Sequence, residues 1–202
     1  WCNLLDIKFN NQQPYVPINY PQSFLPTLWS RPKPILLLQT TGGPSKDPQH
    51  TKPNPYSWTR DIPLPLAQKI VDKYSSKYHI IHITKPEGYN LEGIERLDQQ
   101  LTNIELFALV ASSNKRILID SALQHAAAAL QLPSSVIWVG TSPKVFGYNL
   151  HNNIQAKKPK KANQLINSYT FDFQFDYNIQ ECPYMSLDQM FNIKEVLEKL
   201  GN

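Results

Sequence analysis

Apolar runs punctuate the middle of the chain: ILLLQT (35–40), YHIIHIT (78–84), RILI (116–119) and SVIWVG (135–140). Each is short and lacks apolar–polar alternation over most of its length. That is the pattern of strands buried on both faces, as in a parallel sheet. Between these runs the apolar period lengthens. In PLPLAQKIVDKYSS (63–76), Leu66, Ile70, Val71 and Tyr74 recur at helical spacing, and Pro63 and Pro65 suit a helix start. Thr102 predicts a cap for a helix over 103–113, in which Ile104, Phe107, Leu109 and Val110 are apolar. ALQHAAAALQ (122–131) predicts another helix before Pro133. Residues 85–101 predict a loop that turns into a short helix. Ser186 is expected to cap LDQMF, and NIKEVLEKLG (192–201) predicts a terminal helix ending at Gly201.

Strands alternating with helices imply an α/β fold, a Rossmann-like parallel sheet with helices on both faces and right-handed crossovers. The flanks break this pattern. Residues 1–34 carry prolines at 14, 17, 21, 26, 32 and 34, which forbid long helix. They predict an extended proline-rich N-terminal arm, with Tyr15, Tyr20, Phe24 and Trp29 as anchors. Residues 35–155 form the Rossmann-like domain. Residues 156–202 predict an irregular C-terminal tail: a basic loop at KKPKK (157–161), an extended segment at SYTFDFQFDY (168–177), and terminal helices packing on the domain.

Composition narrows the partners. The chain has 202 residues, 41% of them hydrophobic, enough for one domain with appendages and its own core. A net charge of +4 suits an anionic ligand and is too small for a nucleic-acid face. Cys2 and Cys182 make no CxxC pair and no disulfide framework, so a reducing compartment is the default expectation and a single disulfide the alternative. No run reaches the roughly 18–20 apolar residues of a membrane span. The opening is polar and starts on Trp1, which reads as a processed or excised piece. The expected location is cytoplasmic, with at most peripheral membrane contact through KKPKK.

The candidate chemistry lies where the strands end. Asp120 and Ser121 follow the third run, and His125 falls in the first turn of the next helix. Ser121 can cap that helix, whose free N–H groups at Leu123, Gln124 and His125 and positive dipole end suit an anion. A plain cap beside a core, with His125 on the surface, is the competing reading. A Ser-His-Asp hydrolase is the weaker rival, because no G-x-S-x-G elbow is present. After the first run, QTTGGPSK (39–46) offers Thr40, Thr41 and Lys46, without P-loop spacing. Trp58 and Arg60 can cover the same edge, Arg60 as a phosphate partner. Glu87, after the second run, can accept ribose hydroxyls, as acids after Rossmann strands do. The histidines offer no metal-ligand spacing, so no metal is expected.

In order, these segments resemble the donor-binding, C-terminal half of the ADP-heptose:lipopolysaccharide heptosyltransferases. That family pattern runs from an apolar strand through Asp-[Ser/Thr]-Gly-x-x-His and an alanine-rich helix to a second strand and a G-x-[ST]-x-P-like turn. Here it reads Asp120, Ser121, Ala122, Leu123, Gln124, His125, then LQLPSSVIWVGTSPKVFGY. The paired Thr40 and Thr41 and the segment YSWTRDIPLPLAQKIV also match, and Ala122 stands where the family has glycine. The resemblance covers about residues 35–153. It implies one half of a GT-B fold and a metal-independent glycosyltransferase with a nucleotide-sugar donor, ADP-sugar or similar, as substrate, a glycan acceptor and no separate cofactor. It places Thr40, Thr41, Asp120, Ser121, Leu123, Gln124 and His125 around the donor diphosphate, Lys46 or Arg60 as its cation, and Glu87 at the ribose. It also implies that acceptor and general base belong to an N-terminal domain or partner subunit outside this chain. A non-catalytic Rossmann-like interaction module is the alternative.

Overall fold

A computed structural model describes residues 32–42, 57–86, 88–97, 101–157 and 182–201. The proline-rich arm before residue 32, Lys46, Glu87, the basic loop beyond Lys157 and the segment 168–177 lie outside the described residues.

The chain runs β1 (Ile35–Gln39), α1 (Leu64–Tyr74), β2 (His79–Ile83), α2 (Asn103–Ser112), β3 (Lys115–Ile119), α3 (Ala122–Ala129), β4 (Ser135–Trp138), α4 (Pro143–Phe146) and β5 (Asn152–Gln155). Two further helices follow, α5 (Leu187–Met190) and α6 (Ile193–Gly201). The five strands are parallel, in the order β2-β1-β3-β4-β5. The chain first builds outward from β1 to β2, then returns to the other side of β1 through β3. That reversal opens a crevice between the carboxyl ends of β1 and β3, the usual ligand position in open α/β sheets.

Strand periodicity divides the core between two faces. Leu36, Leu38, Ile80, Ile117, Ile119, Ile137 and Ile154 face α1, α5 and α6. Ile35, Leu37, Ile81, Leu118, Val136 and Trp138 face α2 and α3. Ala126, Ala127, Ala128 and Ala129 of α3 are buried, and their small size lets the helix lie close to the sheet. The C-terminal helices belong to the domain: Met190, Phe191, Val196 and Leu200 are buried in its first face. No helix among the described residues is long and apolar enough to cross a membrane.

The structure departs from the sequence reading in three places. The described part of 85–101 contains no helix. Gly93 turns at φ +78°, Arg96 bridges to His82, and its guanidinium donates to the carbonyls of Lys85, Pro86 and Gly88. The peptide groups of this segment are thus held as turns. Ser186 occupies the cap position of α5, but its side chain makes no capping bond. Finally, β5 was not foreseen; of its four residues only Ile154 is buried.

Candidate functional site

The crevice is closed at its base by a link across 82 positions of sequence. Ser121 has extended backbone geometry at the N-cap of α3, where its Oγ accepts the Leu123 N–H at 3.2 Å. The same hydroxyl donates to Gln39 Oε1 at 2.6 Å, and Gln39 Nε2 donates to Thr41 O at 3.2 Å. The end of β1 is thereby bound to the start of α3. Gly42 continues the loop against β3, where a Cβ would stand 2.9 Å from Ile119 Cδ1. A side chain here would push the tip of Ile119 aside.

Charged groups surround this link. Gly42 N donates to Asp61 Oδ1 at 3.2 Å, and Lys85 pairs with Asp61 at 3.1 Å. Burial raises the Asp61 pKa, and attraction to Lys85 only partly offsets it. Arg60 Nε lies 3.9 Å from Asp120 Oδ2; the arginine is 40% exposed and the aspartate 9%. That long, half-solvated contact contributes little to stability. It leaves the guanidinium at the mouth of the crevice.

The paired threonines are turned inward. Thr40 Oγ1 is bonded to His82 Nε2 at 2.7 Å. Thr41 Oγ1 meets Thr84 Oγ1 at 2.9 Å and accepts the Lys85 N–H at 2.7 Å. Both residues are buried. What they present toward the crevice is backbone.

At the end of β4 a strap crosses the sheet edge. Gly140 N donates to Thr59 O at 2.7 Å, and Trp58 packs on the same glycine. Thr141 is buried next to it, with no hydrogen-bond partner for its Oγ1. His125, in the first turn of α3, places Nδ1 2.9 Å from Tyr148 Oη. Gln124 Nε2 stands 3.1 Å from His125 Nε2 and donates to Phe146 O at 3.0 Å. Burial lowers the His125 pKa, while Asp120 pulls it upward.

The structure brings Thr40, Thr41, Arg60, Asp120, Ser121, Gln124 and His125 to one sheet edge. Leu123 lies beside them with its side chain in the core, and the amides expected to be free are engaged: the Leu123 N–H donates to Ser121 Oγ and the Gln124 N–H to the Ser121 carbonyl. The hydrolase reading fails on geometry: Ser121 donates to Gln39, and His125 pairs with Tyr148. Among the described residues, no three His, Cys, Asp or Glu side chains gather as a metal site. Gln39, Asp61, Lys85, Thr141 and Tyr148 join the edge without having stood out in the sequence. What can act here is a helix N-terminus, the Arg60 guanidinium and the backbone of the first-strand loop, groups suited to an anion, while the Thr40, Thr41 and Ser121 hydroxyls are engaged within the protein.

This architecture recurs in solved glycosyltransferases. E. coli ADP-heptose lps heptosyltransferase II matches with a TM-score of 0.52 and 14% identity, over 97% of this chain and 56% of that one. The dodecameric iron-containing heptosyltransferase TibC in complex with ADP-D-beta-D-heptose matches with a TM-score of 0.57 and 15% identity, over 98% and 50%. TibC from enterotoxigenic E. coli matches at 0.55 and 13%, over 98% and 50%. The fold is thus a Rossmann-like sheet of the heptosyltransferase-like glycosyltransferase type, and the chain spans about half the length of these structures. No family model matches the chain, and no curated protein sequence does.

Proposed function

We propose that this chain is the donor-binding half of a GT-B glycosyltransferase resembling the heptosyltransferases. The reaction is metal-independent transfer of a sugar from a nucleotide-sugar, ADP-sugar or similar, to a glycan acceptor. The observation that carries this reading is the β1/β3 crevice, where the capped N-terminus of α3, Arg60 and the first-strand loop converge.

The chemistry follows from charge. As the glycosidic bond to the diphosphate breaks, negative charge grows on the leaving phosphate. Fixed dipoles aimed at that charge stabilise the transition state more than the ground state. The N-terminus of α3 supplies such a dipole. Arg60 exchanges its distant contact with Asp120 for a phosphate oxygen. Thr40 and Thr41 contribute backbone at close range, since their hydroxyls are engaged. Lys46 adds a cation and Glu87 takes the ribose. The acceptor and the general base come from an N-terminal domain or partner subunit, and the work is done in the cytoplasm.

Calorimetric titration with ADP-, UDP- and GDP-sugars tests this directly. At least one should bind, and Ser121→Ala, which removes the cap of α3 and the link to Gln39, and His125→Ala should each weaken it by about five- to tenfold. A folded chain that binds none of the three overturns the reading. Unchanged affinity in both variants overturns the site.

A further inference from the structure

Two cations at the carboxyl edge of the sheet each stand beside a carboxylate: Arg60 beside Asp120 and Lys85 beside Asp61. The pairs differ in kind. Arg60 meets Asp120 at 3.9 Å in a half-solvated contact. Asp61 bridges two donors instead. Its Oδ1 accepts the Gly42 N–H at 3.2 Å, and its Oδ2 meets the Lys85 ammonium at 3.1 Å. The Lys85 and Asp61 side chains are only 11% and 19% exposed. Two oxygens of a phosphate group would take a backbone N–H and an ammonium in the same way.

This bridge lies on the wall of the crevice. Gly42 abuts the start of α3: a Cβ on it would stand 3.6 Å from Ser121 Cβ. Lys85 follows β2, and its own N–H donates to Thr41 Oγ1 at 2.7 Å, which anchors its backbone to the first-strand loop. Arg60, next in sequence to Asp61, adds a second positive charge facing that carboxylate. A plain loop anchor is the competing explanation, and the energetics count against it. An amide oxygen would hold the Gly42 N–H without any charge. The charge of Asp61 is held against a desolvation penalty: burial raises its pKa, and attraction to Lys85 only partly offsets this.

We infer that Asp61 is a built-in counter-anion of the donor site, holding the Gly42 N–H and the Lys85 ammonium until the donor diphosphate takes both. Lys85 is then a phosphate contact on the β2 side of the crevice, as Arg60 is toward β3. Asp61 swings toward solvent, which its side chain already reaches in part. The exchange selects by charge. A singly charged anion replaces one carboxylate with an equal charge and gains nothing, whereas a diphosphate brings more charge than it displaces. The inference rests on the donor-binding reading for the nucleotide, but its own ligand chemistry is the diphosphate alone.

The test uses the full chain, titrated with inorganic pyrophosphate at one fixed pH. Asp61→Asn keeps an oxygen for the Gly42 N–H and removes the charge. It should bind pyrophosphate about tenfold more tightly than wild type, the release of one charged contact. Adding Lys85→Met should cancel that gain. Equal or weaker binding by Asp61→Asn would make the carboxylate a loop anchor, and a gain that survives Lys85→Met would be a general field effect; either overturns the inference. Independently of any variant, the Gly42 amide resonance of the wild type should shift in nitrogen-15 NMR as pyrophosphate is added, with the Glu105 amide of α2 unmoved. A static Gly42 resonance overturns the inference as well. Titration with nucleotide-sugars separates the two readings. If Asp61→Asn tightens pyrophosphate while no nucleotide-sugar binds, the nucleotide reading fails and this one stands. If a nucleotide-sugar binds and Asp61→Asn changes neither affinity, this one fails alone. If wild type and variants bind nothing, both fall.

Discussion

Gly140 shows how one missing side chain shapes the site. A Cβ there would lie 2.9 Å from Thr59 Cα and 2.9 Å from Trp58 Cζ3. The Thr59 contact is with backbone, so no rotamer change relieves it. Arg60 follows directly, so the seat of Trp58–Thr59 on β4 determines where the guanidinium emerges. Gly140→Ala should therefore lower stability by about 1–3 kcal/mol, the usual cost of overpacking, and weaken anion binding along with it. Urea denaturation and titration with pyrophosphate measure the two separately. A variant of full stability and full affinity would show that the strap does not position Arg60. Gln39 gives the complementary lesson. It reads as a polar residue ending an apolar run, yet it joins Ser121 to the loop of the paired threonines. Nothing local in ILLLQT marks that role, because it arises only when β1 and β3 are laid side by side.

At the scale of elements, the sequence was readable where burial is two-sided and obscure where it is not. ILLLQ, HIIHI, KRILI and SVIW form the inner strands and the β2 edge strand, and their apolar runs reported them directly. β5 is NNIQ, an edge strand whose single buried side chain leaves no period to detect. The helix expected within 85–101 failed because Arg96 gives the backbone carbonyls of the preceding turn a partner no periodicity predicts. At the site, Asp120, Ser121 and His125 were legible because strand end, cap and first turn are contiguous. Tyr148 and Thr141 were not, since they reach the edge through β4. α2 offers a quantitative test at this scale. Thr102 Oγ1 accepts the Glu105 N–H at 3.3 Å, and Glu105 Oε2 accepts the Thr102 N–H at 2.8 Å, a reciprocal capping box. Thr102→Ala should cost about 1 kcal/mol and leave anion binding unchanged, because the Thr102–Glu105 bonds are separate from those that join Gln39, Thr41 and Ser121. Denaturation and pyrophosphate titration check both halves of that expectation. A variant that lost binding while keeping stability would contradict the separation of edge from helix.

For the whole molecule, the buried imidazoles set how stability depends on pH. His82 is fully buried between Thr40 and Tyr89, and desolvation, aided by the nearby positive charge of Arg96, lowers its pKa from 6.5 to about 4. His151 and His125 are shifted down by burial as well. In the unfolded chain all three take up protons near pH 6.5. Between that pH and the folded values, the unfolded state holds more protons, so stability falls as the solution is acidified. It is complete above about pH 6.5 and is lost progressively down to the folded His82 value. The His82 share approaches roughly 3 kcal/mol at the acid end. Asp61 acts with the opposite sign. Its raised pKa makes the folded state take up a proton before the unfolded one, which offsets part of the loss at the acid end of the window. Denaturation midpoints measured from pH 8 to pH 4 should therefore fall most steeply below about pH 6.5. His82→Gln, which keeps a polar partner for Thr40 without a titrating ring, should flatten that decline. An identical slope in the variant would assign the acid sensitivity elsewhere. Because His82 lies under the paired threonines, protonating it also disturbs the first-strand side of the crevice. Anion affinity should then decline in the same pH window as stability, rather than rise as a simple gain of positive charge would require.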